Sequence, residues 1–317
     1  MKRFVLRLLL FCLLPLPLLY AFSYIVDMGL RRSNSYYYSE WNDIFHGAVN
    51  ADLVITGSSR AYVHVSPKIL DSALGLNTYN LGMNGTKFLM QYDRFKIYLQ
   101  HNKKPRYVVQ TLDFSMLAEN YELYAYQQFL PYLSDPDIRQ MTEKYKGKFG
   151  FGEYYFPMFK YNNQNALVVE GLKSFLGHSA TGPKYKGYEG QLKPWDAAFA
   201  AANSNGPGMS PYDQVIDSQS LTKFNEFLAL CSRENIKVIL VFPPIYSEFI
   251  PVFRNRQAIL SLFESAAAKY NFPFLNFLDD ELCADKHMFY NSQHLNKTGA
   301  EIFSRKLAAK LSGIVTK

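Results

Sequence analysis

Five short apolar runs, each joined to a helical stretch, constrain this chain more than any other feature. They are "DLVITG" (52–57), "NTYNLG" (77–82), "PRYVVQTLDF" (105–114), "IKVILVFPP" (236–244) and "FPFLNF" (272–277). The most apolar of them, "LVIT" and "VILVF", do not alternate with polar residues, which suits strands covered on both faces of a parallel sheet. Between the runs lie helical patterns. In "SPKILDSALG" (66–75), Ser66 stands at the N-cap, Pro67 at the first helical position and Gly75 at the stop. "TKFLMQYDRFKIYLQHN" (86–102), "SLTKFNEFLALCSREN" (220–235), residues 251–270 and "NKTGAEIFSRKLAAKLSGIV" (296–315) each present an apolar face at helical spacing. The expected fold is α/β: a three-layer α/β/α sandwich with a mainly parallel sheet. Its ligand would bind at the carboxyl ends of the strands.

The alternation lapses between about 118 and 218. That stretch holds aromatic clusters ("YELYAYQQFLPYL", "FGFGEYYFPMFKY") and a Gly/Pro/Asn-rich segment. A segment of this length without strand–helix alternation is expected to be an inserted, aromatic-rich cap. Its tyrosines in "YKGYEG" (185–190) and Trp195 are first candidates for polymer contact. The stretch is read either as a cap with an ordinary aromatic core or as a glycan-stacking or membrane-facing surface.

The N-terminus has its own character. Lys2, Arg3 and Arg7 precede an uncharged run from Leu8 to Val26, about the length of one membrane-spanning helix at roughly 20 residues. The reading preferred is an uncleaved anchor over residues 1–27, with a cleaved signal peptide as its rival. A polar, tyrosine-rich juxtamembrane linker over 28–50 follows. On this reading the domain from 51 to 317 lies outside the cytoplasmic membrane, in the periplasm or its equivalent. Outside the apolar run the cysteines are Cys231 and Cys283, enough for one disulfide but not for a framework. No His/Cys spacing suggests a metal, and nothing in the sequence calls for a cofactor. The net charge of +7 is spread along the chain. In an exported protein it suits a membrane surface or an anionic envelope polymer better than nucleic acid.

Three polar loops fall at strand ends: Gly57-Ser58-Ser59-Arg60, Gly82-Met83-Asn84-Gly85, and "NSQHLN" before the last helix. Each has an ordinary explanation in capping or turn formation. Together, in this order and spacing, they resemble the SGNH/GDSL hydrolase superfamily. Gly57-Ser58-Ser59 is similar to the family's Gly-Asp-Ser block. Gly82 matches its oxyanion-hole glycine, and His294-Leu295-Asn296 with Gly299-Ala300 matches its terminal histidine block. The wording looks most like a membrane-anchored, envelope-modifying branch that includes DltD-like and alginate O-acetylation proteins. The resemblance covers about 50–117 and 220–315.

The resemblance implies Ser59 as nucleophile and His294 as general base. It implies oxyanion donors on Ser59 and Gly82. The family's usual asparagine block after the third strand is absent, that place reading "TLDFS" with Asp113, and Asn84 is the candidate side-chain donor instead. Two positions depart from the family. Asn291 stands where an aspartate would orient His294, so Asn291 itself or another carboxylate (Asp285, Asp113 or Asp280) takes that part. Arg60, beside the nucleophile, either holds an anionic group of an acceptor or packs the helix start as an ion pair. The implied activity is acyltransferase or esterase chemistry on O-acyl groups, acetyl or D-alanyl, of an envelope polysaccharide. A membrane-bound O-acyltransferase-type protein is the implied acyl donor. The alternative is a catalytically weak or inactive relative that binds polymer or scaffolds an acylation complex.

Overall fold

A computed structural model of the chain describes residues 2–35, 37–119, 122–145, 148–179, 182, 184–196 and 210–316. In chain order run α1 (Lys2–Leu13), α2 (Leu16–Leu30), α3 (Ser39–Phe45), β1 (Leu53–Thr56), α4 (Ser59–His64), α5 (Pro67–Leu74), β2 (Thr78–Asn80), α6 (Phe88–His101) and β3 (Tyr107–Thr111). Then come α7 (Pro136–Glu143), α8 (Phe151–Tyr155), α9 (Asn165–Phe175), α10 (Ser218–Arg233), β4 (Lys237–Phe242), α11 (Arg256–Lys269) and β5 (Phe274–Asn276). The chain closes with β6 (Phe289–Asn291), β7 (His294–Leu295) and α12 (Lys297–Leu311).

The residues cluster into two compact units, one of Met1–His46 with Tyr121–Pro183, the other of Gly47–Asn120 with Lys184–Lys317. The second unit carries the sheet. All five apolar runs contribute a strand to it, in the order β2-β1-β3-β4-β5, and every pairing is parallel. β1 is buried along its whole length, and β4 everywhere but Lys237, as the lack of polar alternation requires. Helices flank the sheet: α12 packs on α4 and α5, while α10 packs on α6 and β4. Edge-to-face rings hold one helical layer, with Phe88–Phe224 at 5.2 Å and Phe95–Phe227 at 5.3 Å. Phe277 on Phe303 at 5.1 Å seats α12. Order reverses between β1 and β3, and in doubly wound sheets that switch point is where a crevice opens beyond the strand ends. Cys231 and Cys283 are both free and buried, so the single disulfide that their number permits is not formed.

The other unit is helical. The apolar N-terminal run does not form one helix: α1 ends at Leu13, and Pro15 and Pro17 open α2. Proline lacks the N–H and blocks the preceding turn, so it stops one helix and suits the first turn of the next. Among the described residues no helix is long and apolar enough to cross a membrane. α2 packs on α9 through facing glycines, since a Cβ on Gly29 would lie 1.7 Å from the Gly171 carbonyl oxygen. The stretch read as a linker carries α3, with Trp41 buried against Phe129 at 5.7 Å and donating its indole N–H to Gln128. The aromatic segment is also divided. Tyr121–Pro183 cluster with the N-terminal residues, and the chain from Lys184 belongs with the sheet.

Candidate active site

Directly after β1 comes Gly57, whose φ of +144° is open to glycine alone; a Cβ there would sit 2.0 Å from Thr111 Oγ1. The chain then turns into α4. Ser58 is the N-cap: its Oγ accepts from the Arg60 N–H and donates to Asp113 Oδ2 at 3.0 Å. Ser59 is the first helical residue, and its Oγ lies 2.7 Å from His294 Nε2. Of the two adjacent serines, one is thus consumed in capping and the other faces an imidazole.

The β6–β7 hairpin carries the other side of the site, with Asn291 opposite His294. Asn291 Oδ1 accepts from the backbone N–H groups of Gln293 and His294, each at 3.0 Å, and lies 2.9 Å from His294 Nδ1. Two backbone donors fix that atom as the carboxamide oxygen. An oxygen that only accepts requires Nδ1 to carry the proton, which leaves Nε2 as the bare acceptor facing the Ser59 hydroxyl. The tautomer follows from backbone geometry, with no carboxylate needed.

The other carboxylates considered for that role are engaged elsewhere. Asp280 accepts from Leu282 N–H and pairs with Lys306 at 2.9 Å, and Asp285 caps His287. Asp113 takes Ser58 on one oxygen and both the N–H and Oγ of Ser115 on the other. Burial opposes its ionisation, but Arg60, Lys87 and these hydrogen bonds together hold the Asp113 carboxyl below the usual carboxylate range.

Burial, with Arg60 nearby, pushes His294 down to about 3; Asp113 opposes this and Lys193 adds to it. Tyr290 stacks on one face of the His294 ring at 5.3 Å with the planes 9° apart, and Lys193 Nζ stands 5.5 Å from the Tyr290 ring centre. Trp195 packs on Tyr246 at 5.1 Å, and Asp196 N–H donates to the Tyr290 carbonyl. The segment 184–196, including Trp195, therefore lies along the hairpin that bears His294. Of the "YKGYEG" tyrosines, Tyr185 is exposed and Tyr188 buried.

His64 was not singled out in the sequence, where a histidine on an apolar helix reads as core. Its Nε2 accepts the Leu295 N–H at 3.0 Å, tying α4 to the residue after His294. Burial, followed by His294 and Arg60, pushes it well below its ordinary value, so it is neutral and positions the strand.

Gly82, matched by the resemblance to the oxyanion-hole glycine, stands in the loop just after β2. Its N–H donates to Asn80 Oδ1 at 2.8 Å, so this group is already engaged. What requires glycine is contact: a Cβ would lie 2.4 Å from Tyr62 N and 2.7 Å from Ala61 Cβ. Gly82→Ala must therefore push α4 from the β2 loop. An expected loss of about 1–3 kcal/mol is measurable by thermal unfolding of the full-length chain. Asn84 is half-buried in the turn beside Gly85. Gly85, Thr86, Lys87, Ser115 and Gln293 join Ser58, Ser59, Arg60, Asp113 and His294 around a cavity of about 170 Å³.

No protein-family model matches the sequence, and no curated protein matches it. Among solved structures it is similar to a GDSL-like lipase from Bacteroides thetaiotaomicron, at 12% identity over 81% of this chain and 87% of that one, TM-score 0.36. It is also similar to a protein from Desulfitobacterium hafniense named for the G-D-S-L lipolytic family, at 13% identity over 81% and 97%, TM-score 0.39. A third, from Streptococcus pneumonia and named for platelet activating factor, gives 10% identity over 98% and 99%, TM-score 0.45. At these scores the likeness carries no argument about chemistry, which rests on the site's own geometry.

Proposed function

We propose that this chain is a serine-dependent acyl-transfer enzyme of the SGNH type. The observation that carries the reading is the Ser59 Oγ to His294 Nε2 distance of 2.7 Å, with Nδ1 held by an oxygen. Ser59 Oγ attacks an ester carbonyl while its proton passes to Nε2. The bond to the leaving alkoxide breaks, and His294 returns the proton to that oxygen. A water or sugar hydroxyl, deprotonated by His294 in turn, releases the acyl group and restores Ser59. The Ser59 N–H belongs to the first helical turn, whose amides lack internal acceptors, and it is the first oxyanion donor. The Gly82 N–H joins it only by releasing Asn80, and Asn84 is the further side-chain donor.

The finer reading is an envelope enzyme that transfers acetyl or D-alanyl groups to a polysaccharide, with an acyl donor protein in the membrane. Its support is the basic-then-apolar N-terminus and an aromatic, apolar surface within the helical unit. Leu18, Tyr20 and Tyr24 of α2, Phe151 and Tyr155 of α8, and Val169 of α9 are all exposed. An interfacial anchor of α1 and α2 fits this better than a straight span, because prolines divide the run. The full-length chain should co-sediment with phospholipid vesicles and lose this on deletion of residues 2–26; soluble behaviour of the intact chain would rule out the anchor. A second reading, polymer binding without catalysis, is favoured by Asn291 alone, since a neutral amide does not stabilise imidazolium.

Turnover of p-nitrophenyl acetate separates the two readings. The enzyme reading expects hydrolysis by wild type that Ser59→Ala lacks, and an added sugar acceptor should divert acetyl from water. Equal rates for wild type and Ser59→Ala would leave the non-catalytic reading.

A further inference from the structure

We infer that the cavity beside Ser59 binds a carboxylate, held by Arg60 and Lys87. Arg60 is 3% exposed, lines the cavity, and its Nη1 has no partner among the described residues. Leaving a buried guanidinium N–H unpaired is costly, and such a group points to an absent acceptor. Lys87, half-buried, lines the same cavity with its Nζ 2.7 Å from Ser115 Oγ. Against these two cations stands one carboxylate, Asp113, whose oxygens already accept from Ser58 and Ser115. The cavity thus holds one unmatched positive charge, which asks for a monoanion. A planar carboxylate fits a guanidinium edge. A phosphate monoester brings close to two charges, and the second would face Asp113.

This deepens the acyl-transfer reading and rests on it for the place of the group in a substrate. The carboxylate belongs to the acyl chain or to an acidic sugar acceptor. It also has a consequence for His294. Arg60 disfavours the imidazolium, and Asn291 supplies no compensating charge. A bound carboxylate would screen Arg60, so the ligand provides the negative charge that the orienting residue lacks.

The test has a binding arm that needs no turnover. Full-length Ser59→Ala is titrated calorimetrically with monomethyl succinate, which carries a single carboxylate, and with inorganic phosphate. Monomethyl succinate should bind more tightly than phosphate. Adding Lys87→Met or Arg60→Lys should weaken monomethyl succinate by about tenfold, the loss expected for a charged hydrogen bond. Lys87→Met, at a half-buried position, keeps the test open should Arg60→Lys fail to fold. Absence of monomethyl succinate binding, tighter binding of phosphate, or unchanged affinity in Lys87→Met overturns the proposal. A kinetic arm compares p-nitrophenyl hemisuccinate with the acetate ester, and a uronic acid acceptor with a neutral sugar. Preference for the first member of one pair assigns the carboxylate to the acyl chain or to the acceptor; preference in neither pair overturns its role in the substrate. Monomethyl succinate binding without any turnover would leave the anion site standing and remove the enzyme reading instead.

Discussion

Ser59→Ala and His294→Ala should each lower kcat for ester turnover by at least about 10³-fold, and the double variant should lose little more than either alone. The hydroxyl is a weak nucleophile until Nε2 takes its proton, so removing either member disables the same step. Non-additivity is the informative result. Ser59 and His294 joined by a 2.7 Å contact form one unit, whereas losses that multiply would mean that the two residues act separately. Ser58→Ala is the internal control for the assignment. It should lower stability through loss of the cap and of the Asp113 contact, by about 0.5–2 kcal/mol, while leaving a Ser59-dependent rate.

Asn291→Asp should raise activity near neutral pH and move the acid limb of kcat/KM upward by about one to three pH units. The base form of His294 is the neutral ring, which is present above its pKa. With that pKa pushed down to about 3 by burial, Arg60 and Lys193, against Asp113, wild type keeps a neutral base down to acid pH. Its kcat/KM should therefore lack the fall near pH 6.5 expected of an ordinary histidine. A carboxylate at position 291 can accept the same three N–H groups that Asn291 Oδ1 accepts now. The tautomer is then unchanged, and only charge is added beside the imidazolium. Asn-for-Asp exchange in a serine protease costs about 10⁴ in rate because the tautomer is wrong; here the backbone has already chosen the right one. A wild-type acid limb near pH 6.5, or slower turnover by a folded Asn291→Asp, would contradict this account of the electrostatics.

The centre of the sheet was legible because β1 and β4 are short runs whose burial leaves no room for polar alternation, as "LVIT" and "VILVF" make plain. The pairing of Ser59 with His294 was legible only through the resemblance of their two blocks to the SGNH pattern; the strand-end placement of both loops was compatible with it but did not by itself pair them. What stayed hidden depends on distant partners. Nothing local marks the Arg60 Nη1 as unpaired, Lys87 as a cavity wall, or His64 as the acceptor for Leu295 N–H. Gly82 was read for its N–H, but its place is fixed by the approach of Tyr62 and Ala61 and by Asn80 two residues earlier. The clustering of residues 1–46 with 121–183 rests on contacts such as Trp41 on Phe129 and Gly29 on Gly171. Contacts across so much sequence leave no periodic trace. Pro15 and Pro17 were visible, but hydropathy averages over them, while the backbone does not.

The central claim is that Ser59 becomes acylated. The most direct measurement is mass spectrometry of the full-length chain, acid-quenched during turnover of an activated acetyl ester and digested. The account predicts one acetyl increment on the peptide containing Ser59, absent from Ser59→Ala and formed far more slowly in His294→Ala. Turnover without that increment, or an increment that persists in Ser59→Ala, would contradict it.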